Sequence, residues 1–418
     1  MATVLMNRIK TAIDQQLRPQ QAGFRPHRSC CQQIFTLRQI IDKCLACRKP
    51  ILVNYIDFKK AFDCIHRDSL WYIAAHYGLP VKAINIIKSF YQNSQCTVKV
   101  DSELGEFFEI CSGVRQGCVL SPLLFGIVMD WVMRRSVDSF AGIQWVDGSR
   151  LGDLDFADDV ALLHESWMGM EGTTLKLAEE ARKVGLQINV AKTKIMKIGT
   201  WSADEQIQIG TEVVETCDQF CYLGSTICNT GGSAREIDIR LGKANTTFAR
   251  LKKIWKSKSV STSVKVRLYQ SLILSVLLYC AETWPILKAT MKRLEAAHHR
   301  WLRQILNISW KDKVTNLKVR ELTDMPTLED IIRERRLRWA GHIWRMPNDA
   351  LARTALNWTP AGCKRKPGRP RMDWIQTVKQ DIARADVKWD DVPQLATDRV
   401  AWRTLTARCI DGAGGSKV

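Results

Sequence analysis

Two short segments constrain this chain more than any other feature. "ILVNYIDF" is a nearly continuous run of strand-forming residues that ends at Asp57, and far downstream "LGDLDFADDVALLH" sets apolar residues on either side of an Asp158–Asp159 pair. The first reads as a buried strand with Asp57 at its carboxyl edge, the second as a hairpin with both carboxylates near its tip. An antiparallel sheet that pairs strand with hairpin brings all three carboxylates to one place. Such a cluster is costly unless a cation neutralises it, and hard oxygen ligands in that number suit Mg²⁺, which keeps waters and is completed by substrate phosphates. Two such ions can polarise an attacking 3′-hydroxyl and stabilise a leaving pyrophosphate. An adjacent Asp pair by itself also fits a solvated turn; the segments around it separate the two.

From Asn7 to Lys49 the pattern is helical, broken at "RPQQAGFRPHRS" by two prolines and a glycine. After Asp57, "KKAFDCIHRDSLWYIAAHYGLP" reads as one helix ended by Gly78 and Pro80. "CTVKVDSELGEFFEI" predicts two strands around a turn, and the loop "CSGVRQGCVLSP" leads into an apolar helix from Leu123 through Met133. A helix near 171–184, short strands in "LQINVAKTKIMKIG" and a sheet extension in "EVVETCDQFCYLGSTI" follow. Gly231–Gly232 is the best boundary signal. Beyond it the pattern is helical and basic to about residue 308, and a third region begins near Lys311 with a Pro- and Gly-rich linker near 359–372.

Charge separates the two halves. Residues 1–230 carry 25 Lys and Arg against 25 Asp and Glu, so the remaining residues, with 37 against 18, hold the whole net charge of +19. A basic surface of that size points to a polyanionic partner, nucleic acid first. Between Asp238 and Glu282 nine basic residues occur without an acidic one, interleaved with apolar positions, as in helices that bury one face and offer Lys and Arg to a phosphate backbone. Lys252, Lys253 and Lys256 are the candidates there, and Arg365 and Arg369 in "KRKPGRPR" further on, an extended basic peptide that also fits a solvated linker or a nuclear-import tag. "RERRLRWAGHIWRMP" groups Arg333, Arg335, Arg336, Arg338 and Arg345 around Trp339 and His342 without showing a role.

Fourteen scattered cysteines show no repeating disulfide framework and no signal-like segment opens the chain, so a reducing, intracellular compartment, nucleus and cytoplasm, is expected. Cys44 and Cys47 lie in an amphipathic helical pattern with no second ligand pair at zinc-finger spacing, and His342 has only Cys363 and Cys409 downstream, so neither is read as a metal site. The most apolar run, Ser271 to Ala281, has about half the ~20 residues a membrane span needs, and no membrane segment is expected.

Six segments in a fixed order carry a resemblance. "QAGFRPHRS" is similar to a fingers motif, "YIDFKKAFDCIHR" to motif A, "SGVRQGCVLSPLLF" to motif B, "FADD" to motif C, "GLQINVAKTK" to motif D and "YLGS" to motif E of the reverse transcriptases of non-long-terminal-repeat (LINE-type) retrotransposons. The resemblance covers nearly the whole chain. It implies an α+β right-hand polymerase: fingers and palm with an antiparallel sheet over 1–230, a helical basic thumb over 231–310, and a small helical, nucleic-acid-binding C-terminal region over 311–418. It implies RNA-directed DNA synthesis with two Mg²⁺ ions, or Mn²⁺, at Asp57, Asp158 and Asp159, with an RNA template, a DNA primer or target and deoxynucleoside triphosphates as partners.

The resemblance also assigns individual residues. Phe62 matches the sugar-selecting aromatic, against a plain core reading; Gln116 and Gly117 match the nucleotide and template lining, with Arg115 beside them. Gln21, Gly23, Phe24 and Arg25 match the fingers motif that touches template or nucleotide, Arg25 being the candidate for the triphosphate. Lys192 and Lys194 share the place of a lysine that neutralises or protonates the leaving pyrophosphate, and the sequence does not choose between them. Tyr222, Leu223 and Gly224 match the primer grip. The family's fingers begin ahead of "VLMNRIK" and no endonuclease-like segment precedes these motifs, so target nicking is expected to be absent. The alternative to a working polymerase is a truncated, inactive element remnant that binds nucleic acid without polymerising.

Overall fold

The structure, a computed structural model, describes residues 1–146, 148–202, 205–363 and 372–411. The chain divides into two compact units. The first takes residues 1–33 and 43–223 with a return segment from Trp358, the second residues 34–42, 224–357 and the chain from 372 onward. Residues beyond 310, read from sequence as a separate region, thus group with the helices that precede them, apart from the return segment.

In the first unit a five-stranded sheet is built from β1 (Ile51–Ile56), β2 (Asp153–Phe156), β3 (Asp159–His164), β4 (Lys194–Ile198) and β5 (Glu215–Thr216), in the order β5-β4-β1-β3-β2. All neighbours are antiparallel except β4 and β5, which pair in parallel, so the sheet is mixed rather than wholly antiparallel. The central strand β1 is buried at every position, as its unbroken apolar run requires when both faces are covered. The Ser121–Ser136 helix, with a proline in its first turn, contributes Leu124, Phe125, Ile127 and Val128 to the core, and the Trp167–Lys183 helix, whose amino end is capped by Ser166 accepting from the Gly169 N–H, contributes Met170, Leu177 and Ala181.

Two local expectations are corrected. The segment after Asp57 forms two helices, Ala61–Cys64 and Arg67–His76, because the His66 N–H donates to the Val184 carbonyl instead of to a helical partner. The cysteines are not all free: Cys47 and Cys363 form a disulfide within the first unit, Cα–Cα 5.3 Å. The return segment that carries Cys363 also seats Trp358, whose Nε1 donates to the Gln144 carbonyl.

The second unit is helical in its described residues, apart from the Ser225–Cys228 strand. Its core gathers Ile237, Phe248, Tyr269, Trp284, Leu294, Trp301 and Ile332, so Trp255, Trp284 and Trp301, all buried, are packing residues. Trp310, by contrast, is 84% exposed. No helix among the described residues is long and apolar enough to cross a membrane.

Candidate active site

The register of the sheet assembles the carboxylates. Ile56 of β1 lies opposite Val160 of β3, so in an antiparallel pair the next residue along, Asp57, comes alongside Asp159. Phe156 pairs with Asp159 across a two-residue turn whose first residue, Ala157, has φ +58° and whose second is Asp158. Asp57 is held through its backbone: its N–H donates to Thr193 Oγ1 at 3.2 Å and its carbonyl accepts from the Asn189 N–H at 2.8 Å. Its Oδ2 is buried and accepts no hydrogen bond among the described residues.

The electrostatics of Asp158 and Asp159 are those of carboxylates crowded together and partly desolvated. Burial and then the charges of Asp158 and Asp57 push Asp159 up to about 6. Burial, with Asp57 behind it, also raises Asp158 against the pull of a backbone N–H. A cation would reverse both shifts. Among the described residues no three Asp, Glu, His or Cys side chains converge tightly enough to enclose an ion by themselves. The donor set fits a hard divalent cation of the kind held by one or two carboxylates and finished by water and phosphate oxygens.

Behind the turn stands a clamp. Gln21 is fully buried; its Oε1 accepts from the N–H groups of Ala157 (2.9 Å) and Gly23 (2.7 Å), and its Nε2 donates to the Ala157 carbonyl at 3.3 Å. Both sides of the left-handed Ala157 residue are thereby fixed. Gly23 is required by space, since a Cβ there would lie 2.2 Å from the Ala157 nitrogen. One layer deeper, Arg18 donates to Asp130 (3.2 Å), Asp153 (2.9 Å) and Asp155 (2.7 Å), and Arg134 also bonds Asp130. Burial and then Asp153 push Asp155 well above the carboxylate range, the direction that lets three carboxylates balance two guanidinium groups.

These contacts revise several of the sequence assignments. The fingers motif does not offer Gln21 and Gly23 to a template; they brace the turn that carries Asp158. Arg25 is not free for triphosphate, because its guanidinium donates to Asp14 Oδ1 (2.7 Å) and to the carbonyls of Asp14, Arg18 and Gln21, with 8% of the side chain exposed. Of the two lysines, Lys192 stands with Nζ 3.9 Å from Asp57 Oδ2 and is 71% exposed, whereas Lys194 is turned to Glu215. Tyr222 is buried, and its hydroxyl donates to the Leu154 carbonyl at 3.0 Å, so its ring supports the sheet and cannot press on a primer. Leu223 and Gly224 both take positive φ, +48° and +78°.

Phe62 stacks on Phe125 at 4.1 Å and meets Phe24 edge-on at 6.2 Å, a half-buried ring held by its neighbours. Gln116 donates to Asp63 Oδ1 at 3.2 Å, and Arg115 to the Phe90 carbonyl at 2.8 Å. Gly117 has φ +84° with nothing within 4 Å of a Cβ position, so the backbone conformation, not a close approach within the chain, calls for glycine.

In the second unit Lys252, Lys253 and Lys256 are exposed on a short helix, Lys252–Lys256. Lys252 and Lys256, with Arg300, line a groove of about 810 Å³ floored by Phe248, Trp255 and Trp301; Lys253 is not among its lining residues. Arg365 and Arg369 lie outside the described residues.

The Arg18 network was not anticipated from sequence, although a signal existed. Asp153 and Asp155 alternate with Leu154 and Phe156, and Asp130 sits in an apolar helix, positions where a buried carboxylate demands a cation.

The profile of the family described as reverse transcriptase (RNA-dependent DNA polymerase) matches residues 1–227. A transposon-derived protein of Caenorhabditis elegans is 26% identical over 274 residues, 63% of this chain and 98% of that one. The Pol polyprotein of the type-2 retrotransposable element R2DM of Drosophila melanogaster is 25% identical over 319 residues, 73% of this chain and 29% of the polyprotein. The RNA-directed DNA polymerase from mobile element jockey of the same fly is 22% identical over 339 residues, 78% of this chain and 36% of the polymerase. The chain thus spans about a third of these two retrotransposon proteins. With the carboxylates, their turn and its clamp all inside the matched residues, the chain belongs to the reverse transcriptase (RNA-dependent DNA polymerase) family.

Proposed function

We propose that this chain is the polymerase of a non-long-terminal-repeat retrotransposon, extending a primer 3′-hydroxyl with deoxynucleotides on an RNA template. The observation that carries the reading is the β1–β3 register, which sets Asp57 beside Asp159 with Asp158 in the adjoining turn. Asp57 and Asp158 would hold divalent ions, Mg²⁺ in the first place, with Asp159 the more peripheral member. Bound there, such ions supply the positive charge that polarises the attacking hydroxyl and neutralises the leaving pyrophosphate.

The remaining work falls to side chains of the chain itself. Lys192, close to Asp57 and largely exposed, is suited to meet the negative charge that develops on the departing pyrophosphate. Phe62, wedged between Phe125 and Phe24, is stiff enough to exclude a 2′-hydroxyl by contact, which favours deoxynucleotides. Lys252 and Lys256 would grip a nucleic-acid backbone in their groove.

Primer extension on an RNA template with deoxynucleotides and Mg²⁺ tests the reading, run beside Asp158→Ala. Extension by the wild type that vanishes in the variant is the expected result, with nucleic-acid affinity equal or higher because negative charge has been removed. Extension that survives the substitution would sink the site assignment. Absence of extension in the wild type, with salt-sensitive template binding intact, would leave an inactive remnant that only binds.

A further inference from the structure

The arginine-rich segment 333–346 sorts its charges onto two faces of one helix, Leu328–Trp344. Arg333 is buried against Glu329, Asp330 and Asp381, Arg336 against Asp381 at 2.7 Å, and Arg335 donates to the Leu278 carbonyl. Arg333 and Arg336 are core residues, whereas Arg335 is half-buried and tied down by that carbonyl. Arg338, His342 and Arg345 follow at i, i+4 and i+7 on the side of Arg335, away from Arg333 and Arg336.

That outward face looks onto a second basic helix. Arg399 and Arg403, at i and i+4 of Arg399–Asp411, line the same groove of about 620 Å³ as Arg338, His342 and Arg345. The one acidic lining residue, Glu334, is paired with Arg338. Arg399 and Arg403 are exposed and make no ion pair in the described part of the chain. Arg345 is aimed by a hydrogen bond from its Nη1 to the Ala396 carbonyl at 2.8 Å, and burial and then the Arg399 charge lower its pKa, so like charges are crowded here.

The groove is built rigidly. A Cβ on Gly341 would lie 2.2 Å from the Trp402 indole nitrogen, so glycine is what lets the two helices close up. Trp402 donates its N–H to the Leu337 carbonyl at 2.8 Å and packs against Trp344, whose other neighbour is Trp389. Trp402, the one tryptophan lining the groove, is thus buried and spoken for, and the exposed ring in the lining is the small imidazole of His342.

We propose that this groove is a binding site for the phosphodiester backbone of nucleic acid, gripping phosphates through Arg338, Arg345, Arg399 and Arg403 without reading bases or sugars. The inference rests on the nucleic-acid partnership proposed above and gives the C-terminal helices a function in it. Cationic donors fixed on two packed helices, with one acidic neighbour, match a polyanion with regularly spaced charges. With its contacts confined to phosphates, the groove treats DNA and RNA of equal length alike.

Fluorescence anisotropy of the full chain with labelled DNA and RNA oligonucleotides of one sequence, titrated between about 50 and 200 mM salt without divalent metal or triphosphate, tests this. In Arg399→Gln/Arg403→Gln the slope of log affinity against log salt should fall by roughly two on both oligonucleotides, and affinity should drop on the order of tenfold or more. Arg399→Lys/Arg403→Lys keeps the charge and should keep the slope. Should the double Gln variant fail to fold, Arg403→Gln alone is expected to lose a slope of about one. An unchanged slope in the Gln variants, the same loss in the Lys variant, or a loss confined to RNA or to DNA would overturn the proposal. Because no synthesis is measured, an inactive polymerase centre leaves this result readable, and an unchanged slope leaves the primer-extension result standing.

Discussion

The Gln21 amide bonds both the N–H and the carbonyl of Ala157, the residue that turns the chain into Asp158. Gln21→Leu leaves the N–H groups of Ala157 and Gly23 without their buried acceptor, a loss of about 1–3 kcal/mol for each unsatisfied group. Denaturant unfolding should register the destabilisation, and primer extension should register a fall in kcat; Gln21→Glu, which keeps an acceptor for the two N–H groups but loses the donor to the Ala157 carbonyl and buries a carboxyl, should recover only part of either. Full activity in Gln21→Leu would show that the turn holds itself. At the other end of the chain, His298 is buried with its Nδ1 2.7 Å from the Tyr269 hydroxyl, and burial and then the neighbouring His299 lower it to about 4. The folded state therefore refuses a proton that the unfolded chain accepts below about 6.5. Stability is complete above that pH and is lost as pH falls towards 4, by on the order of 3 kcal/mol. Urea unfolding at pH 7 and pH 4.5 should show the loss in the wild type and a smaller one in His298→Gln; equal acid sensitivity would remove His298 from the explanation.

At the scale of elements, the β2–β3 hairpin that carries Asp158 and Asp159 depends on what lies under it. Asp153 and Asp155 project from β2 onto Arg18, which also reaches Asp130 in the Ser121–Ser136 helix, so one guanidinium ties strand to helix. The strand, the hairpin and both flanking helices were legible in the sequence, because apolar periodicity and the turn between Phe156 and Asp159 are local features. The pairing order was only partly so: the β1–β3 pairing could be anticipated from the carboxylates, whereas the parallel β4–β5 pair has no local signature. The single helix read between Lys59 and Pro80 failed for a like reason, since the Val184 carbonyl that takes the His66 N–H lies more than a hundred residues away. The segment read as a fingers motif was misjudged in orientation. Nothing in "QAGFR" tells whether Gln21 and Arg25 face solvent or the sheet; burial decides it.

For the molecule as a whole, the charge division seen in the sequence follows the two units closely, with the neutral stretch carrying the carboxylates and the basic stretch carrying the grooves. Each unit has its own apolar core, so heat unfolding need not be a single transition. Substitutions can assign the transitions. Arg18→Met leaves Asp130, Asp153 and Asp155 buried without their shared cation, which should cost about 3–5 kcal/mol in the first unit. Gly341→Ala forces a methyl into the Trp402 indole and should cost about 1–3 kcal/mol in the second. Calorimetry should show each variant lowering a different transition; if both lower the same one, the units unfold together.

The sequence by itself determined the kind of molecule this is. Residue types at short range encode strand, turn and helix, and six motifs in order carry the family. It also determined which carboxylates could meet, because an Asp after a buried strand and an Asp pair at a hairpin tip have few ways to be arranged in one sheet. Only the tertiary structure decided the direction each polar side chain takes. Lys192 turns to Asp57 and Lys194 to Glu215, Arg25 turns inward, Tyr222 lies beneath the sheet, and the arginines of 333–346 divide between core and groove. Those choices depend on which partner from a distant segment satisfies a buried charge or hydrogen-bonding group, and such partners are set by packing, not by neighbours along the chain.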